Sequence, residues 1–163
     1  MRPTCRQAAR PQQQNPRFRM KKLFLLCCLY GCCAAQAQTV WFNILGDPGN
    51  DRADTVEVDP TPVAVEGNTR LMRVRVSRAA NRLNWDGLPY RSYVSEVLFD
   101  CTRQTARYVS VDYYAEPAWR GKSYKRVLYS QNEVRRMVLR DMSPNPHRRI
   151  IRAVCQTASI TSN

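Results

Sequence analysis

Arg70-Leu71-Met72-Arg73-Val74-Arg75-Val76-Ser77-Arg78 alternates apolar and polar side chains from Met72 onward. Met72, Val74 and Val76 fall on one side; Arg73, Arg75 and Ser77 fall on the other. A period of two with one apolar face is the mark of a half-buried strand in an antiparallel sheet. The sequence on either side repeats the theme. Downstream, Ala79 to Arg91 is polar, holds Asn84, Trp85, Asp86 and Gly87, and reads as a loop. Two longer strands follow. In Ser92 to Cys101, Val97, Phe99 and Cys101 share a face; in Thr105 to Ala115, Val109, Val111 and Tyr113 share one. Thr102-Arg103-Gln104 between them is short enough for a hairpin. A loop through Glu116, Pro117, Trp119 and Gly121 leads to a weaker strand, Lys125 to Tyr129. Upstream, Val40 to Leu45 forms a short strand bounded by the turn Gly46-Asp47-Pro48-Gly49-Asn50. Thr55 to Asp59 forms another, with Val56 and Val58 facing one way and Pro60 stopping it. Glu66-Gly67-Asn68 is a turn.

Residues 130–141 carry two signals. Ser130-Gln131-Asn132-Glu133 has the spacing of a helix capping box. Met137 and Leu139, alternating with Arg136 and Arg140, read as a strand, and the strand is preferred here. The end of the chain is helical. Asn145 caps, Pro146 occupies the first position, and Ile151 and Cys155 stand four apart on one face beside Val154.

The first stretch differs from the rest. Met1 to Gly46 contains no Asp or Glu but carries Arg2, Arg6, Arg10, Arg17, Arg19, Lys21 and Lys22. An apolar run from Leu23 to Tyr30 and an Ala35-Gln36-Ala37 site complete the outline of a secretory signal peptide. The alternative is a disordered basic tail followed by a buried helix. Met20-Lys21-Lys22 would itself make a normal signal start, so residues 1–37 read as a basic leader plus signal peptide with the real start at Met20. Residues 38–156 then form one domain, and 157–163 a flexible tail. Leu29-Tyr30-Gly31-Cys32 has the outline of a lipobox, with Tyr30 where a small residue normally stands. Cys32 is therefore a candidate lipidation site.

Cleavage after Ala37 would leave two of the seven cysteines, Cys101 and Cys155. An even pair in an exported chain reads as a disulfide, against the alternative of two unrelated buried thiols. The fold class expected is α+β: an antiparallel sheet with a C-terminal helix packed on one face and tied by that disulfide. The mature part keeps 19 basic residues against 13 acidic ones, and only Lys122 and Lys125 among the basic ones are lysines. Arginine suits bidentate contact with carboxylate, phosphate and sulfate, so acidic glycans, anionic lipid headgroups and acidic proteins are the partners such a surface favours. An arginine-rich solvated face is the plainer alternative.

No catalytic constellation emerges. His147, the single histidine, lies between Pro146 and Arg148 at a helix start and reads as solvated rather than as a metal ligand. Asp100 and Asp112 read as solvent-face carboxylates paired to arginine. No glycine-rich phosphate loop occurs, and no axial ligand for haem is evident. The expectation is no enzyme, no metal and no cofactor. Tyr108, Tyr114, Trp119, Arg120, Tyr124 and Arg126 interleave aromatic and basic side chains of the types that dominate protein interfaces. Tyr108 and Tyr114 lie on the strand face opposite Val109 and Val111, outside the expected core. These rings could instead pack a second small core or cover a sheet edge.

Tyr90-Arg91-Ser92 enters a strand ending Phe99-Asp100-Cys101. Val111-Asp112-Tyr113-Tyr114 and Trp119-Arg120-Gly121 follow. The chain closes with Ser143-Pro144 and a helix ending Ile150-Ile151-Arg152-Ala153-Val154-Cys155. With Trp41 and Val56-Glu57-Val58-Asp59-Pro60, this order resembles the surface-adhesin protein E family of Gram-negative bacteria over about residues 40 to 156. The resemblance implies a sheet of about six strands with a disulfide-tied helix. It implies a periplasmic or outer-surface location, a monomer or homodimer, and adhesin-like contact with host or extracellular-matrix proteins. The competing expectation is a periplasmic structural or envelope-maintenance protein with no external ligand. Export argues against a nucleic-acid partner, and a membrane would be met only through a lipid anchor.

Overall fold

The computed structural model describes residues 40–156. The leader, the start at Met20, the lipobox with Cys32 and the tail at 157–163 lie outside the described residues. Seven strands form one antiparallel sheet: β1 (Phe42–Leu45), β2 (Thr55–Val58), β3 (Ala64–Glu66), β4 (Thr69–Leu83), β5 (Pro89–Asp100), β6 (Thr105–Tyr114) and β7 (Lys125–Leu128). Their order is β1-β2-β4-β5-β6-β7, and β3 pairs β4 beside β2. β4 is long enough to hold both neighbours, with Val56 opposite Val76 and Ala64 opposite Leu71. β3 is the strand not anticipated; three exposed residues give no periodic signal. The loop of residues 46–54 joins β1 to β2. Gly46 there has φ +77°, and a Cβ on it would fall 2.1 Å from the Asp54 carbonyl oxygen, so only glycine fits.

The register sorts the two faces. Val56, Met72, Val74, Val76, Tyr93, Val97 and Phe99 point inward and are buried. The helix α1 (His147–Gln156) presents Ile150, Ile151 and Val154 to the same core. Asn145 Oδ1 accepts the His147 amide at 2.9 Å, the cap expected from the sequence. Cys101 at the end of β5 and Cys155 on α1 are joined by a disulfide. The expected α+β architecture with its tied helix is what forms.

Three expectations need correction. Ala79 to Arg91 is mostly strand: β4 and β5 extend into an arm, with Arg82 opposite Tyr90, and only residues 84–88 turn. A ladder is held by backbone hydrogen bonds, so polar side chains with solvent on both faces did not prevent it.

The strand preferred for 130–141 does not form. Ser130 caps a single turn, receiving the Glu133 amide at its carbonyl (3.1 Å) and its hydroxyl (3.2 Å). The chain then touches β6 at one bridge, Arg107 to Arg136. β7 already pairs Ser110 to Tyr113, so only the first half of β6 offers a free edge. Met137 and Leu139 are nonetheless buried under the inner face, which accounts for their alternation with arginine.

The third correction is Tyr108. The β5–β6 register shifts between Glu96 and Val97, leaving Val109 as an extra residue in β6. A bulge of this kind reverses the facing of everything before it. Ala106 and Tyr108 therefore point inward with Val111 and Tyr113, and Tyr108 is only 4% exposed. Tyr108 belongs to the core and leaves the set of surface candidates.

Candidate functional site

The outer face of the sheet is polar and built around Arg75. Its Nε and Nη2 donate to Glu57 Oε2 (2.9 Å) and Oε1 (3.0 Å) on the neighbouring strand β2. The guanidinium lies 4.2 Å from the centre of the Trp41 ring and 4.0 Å from that of Trp119, a cation between two indoles. Glu57 is buried beneath them.

Trp119 arrives on a single 3-10 turn, Pro117–Trp119. The Ser92 hydroxyl donates to the Glu116 carbonyl (2.6 Å) and accepts the Trp119 amide (3.1 Å). Ser77 Oγ accepts the Ala118 amide (3.0 Å), and Trp119 Nε1 donates to the Tyr93 carbonyl (3.0 Å). Ala118 and Trp119 sit at φ +53° and +57°, a region non-glycine residues seldom occupy; these bonds hold them there. The loop is thus fastened to the outer face.

The other surface candidates follow from the β6–β7 pairing. Asp112 stands opposite Arg126, and the two form an ion pair at 3.5 Å. Asp100 pairs with Arg103 at 3.5 Å, so both carboxylates have the arginine partners expected of them. Tyr114, two positions beyond Asp112, is half-buried, and Tyr124 is 46% exposed with its hydroxyl donating to the Pro89 carbonyl. Arg120 pairs with Asp51 and, at 3.9 Å, with Glu116. Tyr114, Trp119 and Arg126 therefore share the outer face with the loop that carries Arg120, while Tyr108 lies on the far side of the sheet.

The inner face holds a second feature that sequence reasoning missed. Between the β4–β5 turn and residues 138–141 opens a cleft of about 460 Å³. Tyr90, Tyr93, Tyr108 and Tyr113 line it, each ring packed edge-on or tilted against the next at 5.3–6.1 Å. The Tyr93 and Tyr108 hydroxyls bond each other at 2.9 Å. Arg78, 1% exposed, reaches the cleft from β4, with Asp54 at 3.3 Å and Asp141 at 2.9 Å. One signal could have found it: Arg78 continues the inward series Met72, Val74, Val76, where a charge has no place without partners.

Burial raises the pKa of all four phenols and is the largest cause in each, and for Tyr113 the neighbouring Tyr129 adds to it. A phenol raised above its unfolded value near 10 favours the folded state while neutral. Its contribution to stability is intact below pH 10 and is lost as pH climbs from there toward the folded value. In an alkaline titration followed at 295 nm, the four cleft tyrosines should ionise only as the protein unfolds; their ionisation near pH 10 in the still-folded protein would contradict this burial. His147 is shifted the other way, lowered by partial burial and by Arg148, which leaves it neutral at physiological pH.

A family model described as surface-adhesin protein E matches residues 41–156. No curated protein and no solved structure matches the chain. Among the described residues, no helix is long and apolar enough to cross a membrane.

Proposed function

The chain belongs to the surface-adhesin protein E family, and from that membership we propose that it is an exported cell-envelope protein that binds host or extracellular-matrix proteins through its outer face. The family makes it an adhesin in general terms. The contact surface is read from the residues. What supports it is the gathering of Tyr114, Trp119, Arg126 and the Arg120 loop on one side of the sheet, with Tyr124 exposed just before β7, the strand that carries Arg126.

The chemistry favours an acidic partner. Arg120 and Arg126 are more than half exposed, and each is paired to a carboxylate that is itself partly exposed. Such pairs contribute little to stability, so a partner's carboxylate can take the place of the internal one at small cost. Tyrosine alongside supplies rigid contact area with a polar tip. Trp119 contributes less surface, because one face of its ring is spent on Arg75.

The expected result is binding to an immobilised matrix protein that weakens about tenfold between low and high salt, as screening of exposed charges requires. Tyr114→Ala and Arg120→Ala should each weaken it by about tenfold, the scale of an interface anchor. Surface plasmon resonance checks both. Binding indifferent to salt and to both substitutions would remove the outer face from the interaction. The envelope-maintenance role instead implies a periplasmic pool that added protease cannot reach on intact cells.

A further inference from the structure

The outer-face contact leaves the helix side of the sheet without a role, and we propose that the exposed face of α1 binds a sulfated polysaccharide. Charge is unevenly spread along the chain. Residues 40–141 hold 16 basic and 13 acidic side chains, whereas residues 142–156 hold three arginines and no acid. One helix therefore carries half of the net positive charge of the described residues. A local excess of one sign draws counter-charged partners to that spot.

These three arginines differ from those of the sheet. Arg73, Arg75, Arg78, Arg120 and Arg126 each meet a carboxylate. Arg148, Arg149 and Arg152 are exposed and, among the described residues, have no ion pair and no side-chain hydrogen bond. Arg148 and Arg152 stand four apart, Arg149 and Arg152 three apart. Like charges at these spacings repel across one helix face. An anion laid over them removes that repulsion and accepts paired, charge-assisted bonds from the guanidiniums.

A groove of about 620 Å³ runs beside the helix. Arg148, Arg152 and His147 line it from α1, and Gln104 lines it from the β5–β6 turn. No carboxylate, Tyr, Trp or Phe lines it. Gln104 Nε2 is engaged with the Cys101 carbonyl at 2.7 Å, which leaves its Oε1 to accept a hydroxyl.

That composition selects among polyanions. Helices that dock on a membrane present apolar side chains to it, and α1 has buried its own, Ile150, Ile151 and Val154, against the sheet. Single-stranded nucleic acid is held by stacking on aromatic rings, and acidic proteins are anchored by Tyr and Trp. The groove offers neither. A sulfated sugar chain needs only what is present: cations for its sulfates and a polar wall for its hydroxyls.

The test uses the full, disulfide-bonded chain and a heparin octasaccharide as probe, followed by calorimetry and NMR. Saturable binding is expected, with the fully desulfated octasaccharide at least tenfold weaker. Arg148→Ala with Arg152→Ala should weaken heparin by about tenfold or more, the scale of losing hydrogen bonds to a charged group. Arg52→Ala with Lys122→Ala removes the same charge from exposed positions elsewhere and should change the affinity by less than about twofold. Alanine favours helix, so the α1 variant should keep its fold, which circular dichroism checks. The wild type gives an independent readout: His147, the single histidine, lines the groove, and its ring resonances should move as heparin saturates. No saturation, equal binding of the desulfated sugar, equal loss in the two double variants or an unmoved His147 each overturns the proposal. Tighter binding of phosphatidylglycerol vesicles or of single-stranded DNA overturns the assignment to a polysaccharide. Binding of a glycan-free matrix protein through the outer face should be unchanged in the α1 variant, so the two readings fail separately.

Discussion

Replacing Cys101 and Cys155 together by serine should lower the free energy of unfolding by about 4 kcal/mol, the chain-entropy value for a closed loop of this length. The bond joins residues 54 positions apart, the end of β5 to the last turn of α1. The loss arises chiefly in the unfolded chain, which regains the freedom the crosslink denied it. The folded state should survive. Ile150, Ile151 and Val154 still bury against the sheet, although a helix of ten residues has little stability of its own. Circular dichroism should therefore change little while the urea midpoint falls. Because whole domains are stable by only about 5–15 kcal/mol, the change is a large fraction of the total. Urea titrations of the oxidised wild type and the double variant decide it. Coincident midpoints would show that the crosslink contributes nothing to this fold.

Legibility in the sequence followed the range of the interaction concerned. The β4 alternation at Met72, Val74 and Val76, the Asn145 cap and the Cys101–Cys155 pair are local patterns or simple counts, and the fold bears them out. Tyr108 was misplaced because a bulge is a property of two strands: nothing in β6 alone says that Val109 will be skipped by β5. In 130–141, both local signals were real. Ser130 does cap a turn and Met137 and Leu139 do alternate inward, but the edge of β6 that a full strand would need is taken by β7. Of the outer-face candidates, Tyr114, Trp119, Arg120, Tyr124 and Arg126 were nameable from composition alone, whereas the ion pairs that occupy their charges were not. The Trp41–Arg75–Trp119 stack brings together three distant stretches of chain, so no sequence window contains it. The tyrosine cleft is missed for the same reason, since its rings come from the start of β5 and from β6 on either side of the bulge.

Arg75→Ala should destabilise the protein by about 3–5 kcal/mol, the cost of breaking a buried ion pair and leaving one charge behind. Glu57 is only 3% exposed and would keep its carboxylate without the fork that now satisfies both oxygens. The two indoles would also lose the cation between them, a contact worth roughly 0.5–2 kcal/mol in partly desolvated settings. Arg75→Lys should fall in between, because an ammonium retains the charge but offers neither the planar fork nor a flat face to stack. The decisive comparison is Arg75→Met with Glu57→Gln. Removing the charge that was stranded should restore at least half of the loss, since a buried neutral amide carries a much smaller desolvation penalty than a buried carboxylate. Denaturant titrations of the wild type, Arg75→Met, Glu57→Gln and the double variant give the coupling directly. A single-variant cost under 1 kcal/mol would mean that the stack is incidental. Function should report the same event from a distance. Trp119 is held against Arg75, and the next residue, Arg120, is among those proposed to meet the partner. A destabilised stack should therefore weaken matrix binding even under conditions where the variant remains folded, although Arg75 itself touches no partner.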